Sequence, residues 1–387
     1  MDQRSILLMP DSFKGTMSSR EICAIMVQEI AKWYPDVPVR AIPVADGGEG
    51  TVDCFLTACG GERIHCHVQG PLGEEIEACY GMIQKGQTAV IEMAAAAGLP
   101  LAAAQGCLDP GRTSTYGVGQ LMADAAARGV KRMVVGLGGS ATNDGGCGMA
   151  AALGVRFYDK SGKTFVPTGA TLSDIYRIDL SGRLPALAKI QITAMCDIDN
   201  PMYGPTGAAY VFGPQKGADA ALVKVLDANL QALAQRIQAD LNIDAALLPG
   251  AGAAGALGAG MVAFCGGTLE SGIATVLDVV DFPALASSAQ LILTGEGKID
   301  SQSLRGKVVI GIAQAAKTYG VPVVAIVGDV GDNIEAAYDM GVSAIFSINQ
   351  VAVEFAAAKP RAKRDLAATL DNILRFSRLL DKGAQHD

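Results

Sequence analysis

The stretch GLGGSATNDGG (136–146) packs Gly138, Gly139, Ser140, Thr142, Asn143 and Asp144 between an apolar run, RMVV, and a small-residue segment, CGMAAALG. Glycines let a backbone approach a ligand closely, the start of a following helix favours anions, and side-chain oxygens suit Mg²⁺. Those residue types in that order describe a site for nucleotide phosphates and their metal. The same stretch also holds G-x-G-x-x-A at Gly136, Gly138 and Ala141, a weak dinucleotide fingerprint. Its expected acidic partner about 20 residues on has only a poor candidate, Asp159, in a YDKSGK turn. An NAD-dependent hydroxyacid dehydrogenase therefore stands second to a phosphate–Mg²⁺ reading, since NAD does not need the dense Ser-Ala-Thr-Asn-Asp run.

Other loops carry related chemistry. PDSFKG (10–15) places Asp11, Ser12 and Lys14 after an apolar strand, where Lys14 would meet a phosphate or a carboxylate. PVADGGEGT (43–51) adds Gly47, Gly48 and Gly50 for close approach, and Asp46, Glu49 and Thr51 as oxygen donors. TAMCDIDN (193–200) offers Asp197, Asp199 and Asn200 for a metal or for deprotonating a hydroxyl, with Lys216 downstream. LTGEGKIDSQSLRGK (293–307) interleaves Glu296, Lys298, Asp300, Ser301, Arg305 and Lys307, a mixture suited to an organic acid and its hydroxyl. Arg112, ahead of Thr113, Ser114 and Thr115, is a further anion-site candidate or part of a helix cap.

Several chemistries are excluded or disfavoured. The chain has three histidines; His65 and His67 fall on the polar face of a strand and His386 lies in the tail, so acid–base work passes to carboxylates or lysine. There is no G-x-x-x-x-G-K-[ST] and no VAIK, HRD and DFG set, which excludes P-loop and protein-kinase-like phosphotransfer. A net charge of −8 argues against a nucleic-acid partner. Nine scattered cysteines without C-x-x-C suit a reducing, cytoplasmic setting, and the N-terminal apolar run is too short for a signal peptide. Residues 245–265 carry no charge, yet Ala and Gly dominate them, so a buried glycine-rich turn and helix is expected rather than a membrane span. A non-catalytic sugar-acid sensor explains the acidic and glycine loops poorly, and no pattern speaks to oligomeric state.

Positioning such loops calls for a doubly wound α/β framework. ILLMP (6–10) and VPVRAIPVA (37–45) read as strands, with a helix capped by Ser18 or Ser19 between them and another over 49–59. Next, ERIHCHVQ with its Ile64, Cys66 and Val68 face, a second alternating run to Met82, and TAVIEM (88–93) read as an antiparallel meander. Alternation resumes with LILTG (291–295), VPVVAIVG (321–328) and SAIFSI (343–348), helices near 306–319 and 332–340, and a C-terminal helix over 360–381. The expected architecture is a flavodoxin-like domain formed by 1–61 and 287–387, with 62–286 inserted as a second α/β domain.

In order along residues 5 to 330, PDSFKG, PVADGGEGT, IEMAAAAGL, GRTSTYGVGQL, GLGGSATNDGG, CDIDNPMYGPTGAAYVFGPQKGA, PGAGAAGALGAG and LTGEGKIDSQSLRGK resemble the bacterial glycerate kinase family of glucarate/galactarate and glyoxylate catabolism. The resemblance implies an ATP- and Mg²⁺-dependent kinase acting on D-glycerate, with 2-phosphoglycerate as product, or 3-phosphoglycerate on an older assignment. It also implies the flavodoxin-like domain with an inserted domain; glycerate is expected to bind by its carboxylate in the interdomain cleft. On this reading Gly138, Gly139, Ser140, Thr142 and Asn143 bind phosphate, and Asp144 or Asp197 holds Mg²⁺. Ser12, Lys14, Lys298 and Arg305 meet the substrate carboxylate or the moving phosphoryl group. Asp46, Glu49, Glu296 and Asp300 compete for the base.

Overall fold

The computed structural model describes residues 5–45 and 47–383, without the side chains of Arg305 and of residues 380–383. Two compact units emerge, Met1–Ala45 with Ile273–Asp387, and Asp46–Gly272. Each has its own buried apolar cluster. The junctions lie earlier than the expected 61/62 and 286/287. The helix Thr51–Cys59 is the reason at the first junction: it packs on the strands Glu75–Ile83 and Thr88–Glu92 and so joins the inserted unit.

The discontinuous unit holds a five-stranded sheet in the order Val342–Ser347, Val323–Val327, Ala289–Gly295, Ser5–Pro10, Val39–Ala41. All four pairings are parallel. Numbered within the unit this is 5-4-3-1-2, the flavodoxin-like order, and the reversal falls between Ser5–Pro10 and Ala289–Gly295. Ligands bind outside the carboxyl ends of strands at such a switch point. The helix Ser19–Trp33 is closed by a capping box, with Ser18 Oγ accepting from Glu21 N (3.2 Å) and Ser18 N donating to Glu21 Oε2 (2.9 Å).

Two expectations shrink here. The second strand spans only Val39–Ala41, after Pro38, which has no N–H for the ladder, although Ile42 N and Val44 N still donate to Leu8 O (2.8 Å) and Pro10 O (3.0 Å). The expected helix at 332–340 is one turn, Ala336–Asp339, preceded by Asn333 in left-handed backbone (φ +58°).

The inserted unit carries a six-stranded sheet in the order Thr268–Glu270, Gln191–Met195, Arg132–Gly136, Thr88–Glu92, Glu75–Ile83, Glu62–Gln69. The meander forms as expected over its first two pairings, which are antiparallel. Its third strand then pairs parallel with Arg132–Gly136, so the sheet is mixed. The uncharged 245–265 stretch becomes the buried helix Ala253–Cys265, which opens on a left-handed turn at Ala254, Gly255 and Ala256. Among the described residues no helix is long and apolar enough to cross a membrane.

Candidate active site

In the inserted unit the parallel strands place Glu92, Gly136 and Met195 side by side at their carboxyl ends. The 136–146 loop leaves that edge beneath the 47–50 loop. Gly138 N donates to Gly47 O (3.0 Å), and a Cβ on Gly138 would lie 2.5 Å from Gly48 Cα. A Cβ on Gly136 would lie 2.4 Å from Gly47 O. These glycines therefore serve backbone-to-backbone packing between two loops. This arrangement removes Gly138 N–H from phosphate binding. It also removes the dinucleotide reading: the helix after the loop starts only at Cys147, well beyond the turn that the fingerprint requires.

Beyond Gly138 the loop is held from behind. Ala141 N donates to Ala97 O (2.9 Å), Leu99 N to Gly139 O (2.9 Å), and Thr113 Oγ1 to Ala141 O (2.8 Å). Among the described residues the N–H groups of Gly139, Ser140, Thr142 and Asn143 donate to no protein acceptor. Asn143 is fully buried, and neither its Oδ1 nor its Nδ2 has a partner. Buried polar groups are nearly always paired, so this cluster is shaped for a ligand with many oxygens.

Asp144 corrects a sequence expectation. It is buried, and its carboxylate accepts from Thr115 N (2.8 Å), Thr115 Oγ1 (2.8 Å), Gly146 N (3.1 Å) and Gly148 N (3.2 Å). Burial raises its pKa while these bonds oppose the rise. Asp144 thus caps the Cys147–Ala152 helix and ties the loop to the Thr113–Thr115 segment, the arrangement of a brace and not of an open metal ligand. The helix start expected to receive phosphate is already taken. Thr142 is also engaged, its hydroxyl on Ala254 O (3.4 Å) and its carbonyl on Lys216 Nζ (2.7 Å). The left-handed turn fits this backing: a Cβ on Gly255 would lie 1.9 Å from Thr142 O, and Gly145 N donates to Gly255 O (3.0 Å).

Asp197 Oδ1 accepts from Gly272 N (2.8 Å). Among the described residues no three His, Cys, Asp or Glu side chains gather into a metal cage. Mg²⁺ on a nucleotide needs only one or two carboxylates, with phosphates and water completing six oxygens. Asp197 supplies a carboxylate of that kind at the carboxyl end of the strand Gln191–Met195. Glu49 is exposed, and Asp46 lies outside the described residues. Glu92, which sequence reasoning passed over, accepts from Val52 N (2.8 Å); burial raises its pKa, and the charges of Asp53 and Glu49 add to the rise.

In the other unit the switch point gathers PDSFK and TGEGK. Asp11 N donates to Gly295 O (2.8 Å), Ser12 N to Asp11 Oδ1 (2.6 Å), and a Cβ on Gly297 would lie 3.4 Å from Lys14 N. Phe13, buried, anchors the turn while Lys14 beside it is exposed. Glu296 is 8% exposed and its Oε1 has no partner. Burial pushes its pKa up to about 7; the Ser303 hydroxyl and Lys307 oppose this, and Asp11 and Asp300 add to it. Asp300 caps the next turn through Oδ1, accepting from Gln302 N (2.9 Å) and Ser303 N (3.4 Å). Lys298 pairs with Asp329 at the surface (3.6 Å), and the Arg305 side chain lies outside the described residues. Of the carboxylates weighed for the base, Glu296 is the described one that is both buried and open at one oxygen.

Glycine-rich loops at the carboxyl ends of parallel strands, in an all-parallel sheet of one unit and a mixed sheet of the other, are the arrangement of an α/β enzyme suited to phosphate ligands. The glycerate kinase family model matches residues 6–378. The chain is 45% identical over 344 residues to a glycerate kinase of Halalkalibacterium halodurans, covering 89% of this chain and 90% of that one. It is 42% identical over 372 residues to the glycerate 2-kinase of Escherichia coli K12, covering 94% and 97%. A crystal structure from Salmonella typhimurium LT2, of a protein provisionally named glycerate kinase 2, superposes with a TM-score of 0.85 at 39% identity over 99% of each chain. The chain belongs to the glycerate kinase family. Membership in a kinase family implies ATP as co-substrate and sets aside the dehydrogenase and sensor readings.

Proposed function

We propose that this protein phosphorylates D-glycerate with ATP to give 2-phosphoglycerate, in organic-acid catabolism of the glucarate, galactarate and glyoxylate kind. The observation that carries the reading is the loop 139–143, with four unpaired amides and the orphaned Asn143 side chain at a strand edge. Phosphoryl transfer asks for positioning and charge neutralisation more than covalent chemistry. Gly139, Ser140, Thr142 and Asn143 therefore hold phosphoryl oxygens. Asp197 would hold Mg²⁺, which neutralises phosphate charge when bound. Lys14 and Arg305, with Ser12, receive the glycerate carboxylate, and Glu296 accepts the proton of the attacking hydroxyl. Nine scattered cysteines without C-x-x-C spacing support a reducing, cytoplasmic location.

Incubation with D-glycerate and Mg-ATP, followed by ³¹P NMR, tests the activity and its position together. The expected product is 2-phosphoglycerate with stoichiometric ADP. Formation of 3-phosphoglycerate would refute the regiochemistry, and no phosphorylated product would refute the reading.

Loop packing supplies a separate test. In Gly138→Ala the new methyl must displace the Gly47–Gly48 backbone, shifting the phosphate loop on the order of 1 Å. Steady-state kinetics with ATP varied should show kcat/KM reduced about a hundredfold, since misplacement of this size has that cost.

A further inference from the structure

Lys216 lies in the turn Pro214–Lys216, closed by Gly217 in left-handed backbone (φ +98°). A Cβ on Gly217 would sit 2.0 Å from Leu108 O, so the turn is pinned from behind. The lysine is 2% exposed, and its Nζ reaches across 74 residues of sequence to donate to Thr142 O at 2.7 Å. An ammonium carries three donors; among the described residues this one finds a single acceptor and no carboxylate within ion-pair distance. Asp144 is the charge that acts on it, yet four other donors already occupy that carboxylate. Nearby along the chain, Asp219 is an exposed helix cap, and Asp109, next to the Leu108 that pins the turn, accepts from Gly111 N. The Cys147 thiol, next to Asp144, is kept protonated by burial.

A buried ammonium with one neutral acceptor is costly, and a buried amide with no partner adds to the cost. Both lie on one short piece of loop, because Lys216 holds the carbonyl of Thr142 and Asn143 is the next residue. Anionic oxygens would satisfy both. The helix start that usually supplies positive potential to such a loop is spent on Asp144, so the loop alone carries a net negative charge.

We propose that Lys216 is the cation of the phosphate loop, a positioning residue that holds the loop through Thr142 and is charge-matched by the phosphoryl oxygens of the bound nucleotide. This rests on the reading of 139–143 as the phosphate site. In the free protein burial lowers the Lys216 pKa to about 7, with Asp144 opposing. The ammonium form binds anions, so nucleotide affinity weakens as pH rises above that value, by up to about tenfold per pH unit for one linked proton.

The test is calorimetric titration of the whole protein with Mg²⁺ and AMP-PNP, and separately with inorganic tripolyphosphate, between pH 7.5 and 9. Wild type is expected to lose affinity for both probes across this range, and Glu296→Gln to retain that dependence. Lys216→Met should bind at least tenfold more weakly at pH 7.5 with a flat profile, and Lys216→Arg should recover affinity and remain flat. A Met variant that keeps the wild-type affinity and slope, or that only melts earlier, reduces Lys216 to a strut and overturns the inference. If the Met variant does not fold, wild type decides: unchanged affinity from pH 7.5 to 9 also overturns it. Turnover of glycerate by wild type alongside that result refutes the inference alone. Absence of any ATP-dependent turnover refutes the functional reading and the inference together.

Discussion

Glu296→Gln is expected to lower kcat by about 10²–10⁴-fold, the range of a positioned general base. The wild-type pH profile should show which protonation state matters. With a pKa of about 7, Glu296 is ionised above neutrality and protonated below it. A base must be ionised, so kcat should be level above pH 7 and fall tenfold per unit below. The Gln variant should lack that limb. Stability should move the opposite way. The folded-state value is raised from 4.5 to about 7, so the native state binds this proton more tightly than the unfolded chain does. Stability attributable to this group is therefore present below 4.5 and is lost as pH rises to 7, amounting to about 3 kcal/mol at most. Glu296→Gln should accordingly melt above wild type at pH 8 and close to it at pH 4.5, a comparison made by differential scanning calorimetry. A variant with near-normal kcat and the same acid limb would return the base to Asp46, Glu49 or Asp300.

Asp144→Asn has the second large expected effect, and it separates a brace from a metal ligand. The amide preserves size but replaces one acceptor oxygen with an NH₂ group. Placed at Oδ2 it would face the N–H groups of Thr115 and Gly148; placed at Oδ1 it would face Gly146. Either orientation sets donors against each other in a buried site, at a cost of about 3 kcal/mol. For the 46–272 unit this corresponds to a melting temperature lower by roughly 6–12 °C. Nucleotide affinity should fall with it, because the loop loses its tie to Thr115. A metal ligand would behave otherwise: the variant would melt near wild type and demand more Mg²⁺. Thermal unfolding, combined with a Mg²⁺ titration of activity, distinguishes these outcomes.

Much of the framework was legible in the residues because it depends on short-range pattern. Alternation at Ile64, Cys66 and Val68 placed a strand of the meander, and Ser18 or Ser19 marked a helix start. Glycine-rich runs after apolar strands located the loops, since close backbone approach admits few other residues. The flavodoxin-like strand order followed from counting alternating segments on both sides of a long insertion. The domain junctions were less legible, because the helix Thr51–Cys59 is assigned by the sheet it packs on and not by its own composition.

Sequence alone thus determined which residues stand at the strand ends and what ligands their chemistry suits. Tertiary structure decided what each does, because a carboxylate or an ammonium takes its role from partners far along the chain and from its burial. Asp144 reads as a metal ligand until Thr115, 29 residues away, is seen filling it. Glu92 was unremarked until its place beside Gly136 was known. Lys216 was one lysine after a turn until the fold carried it under Thr142 and removed the water that would otherwise have hydrated its charge.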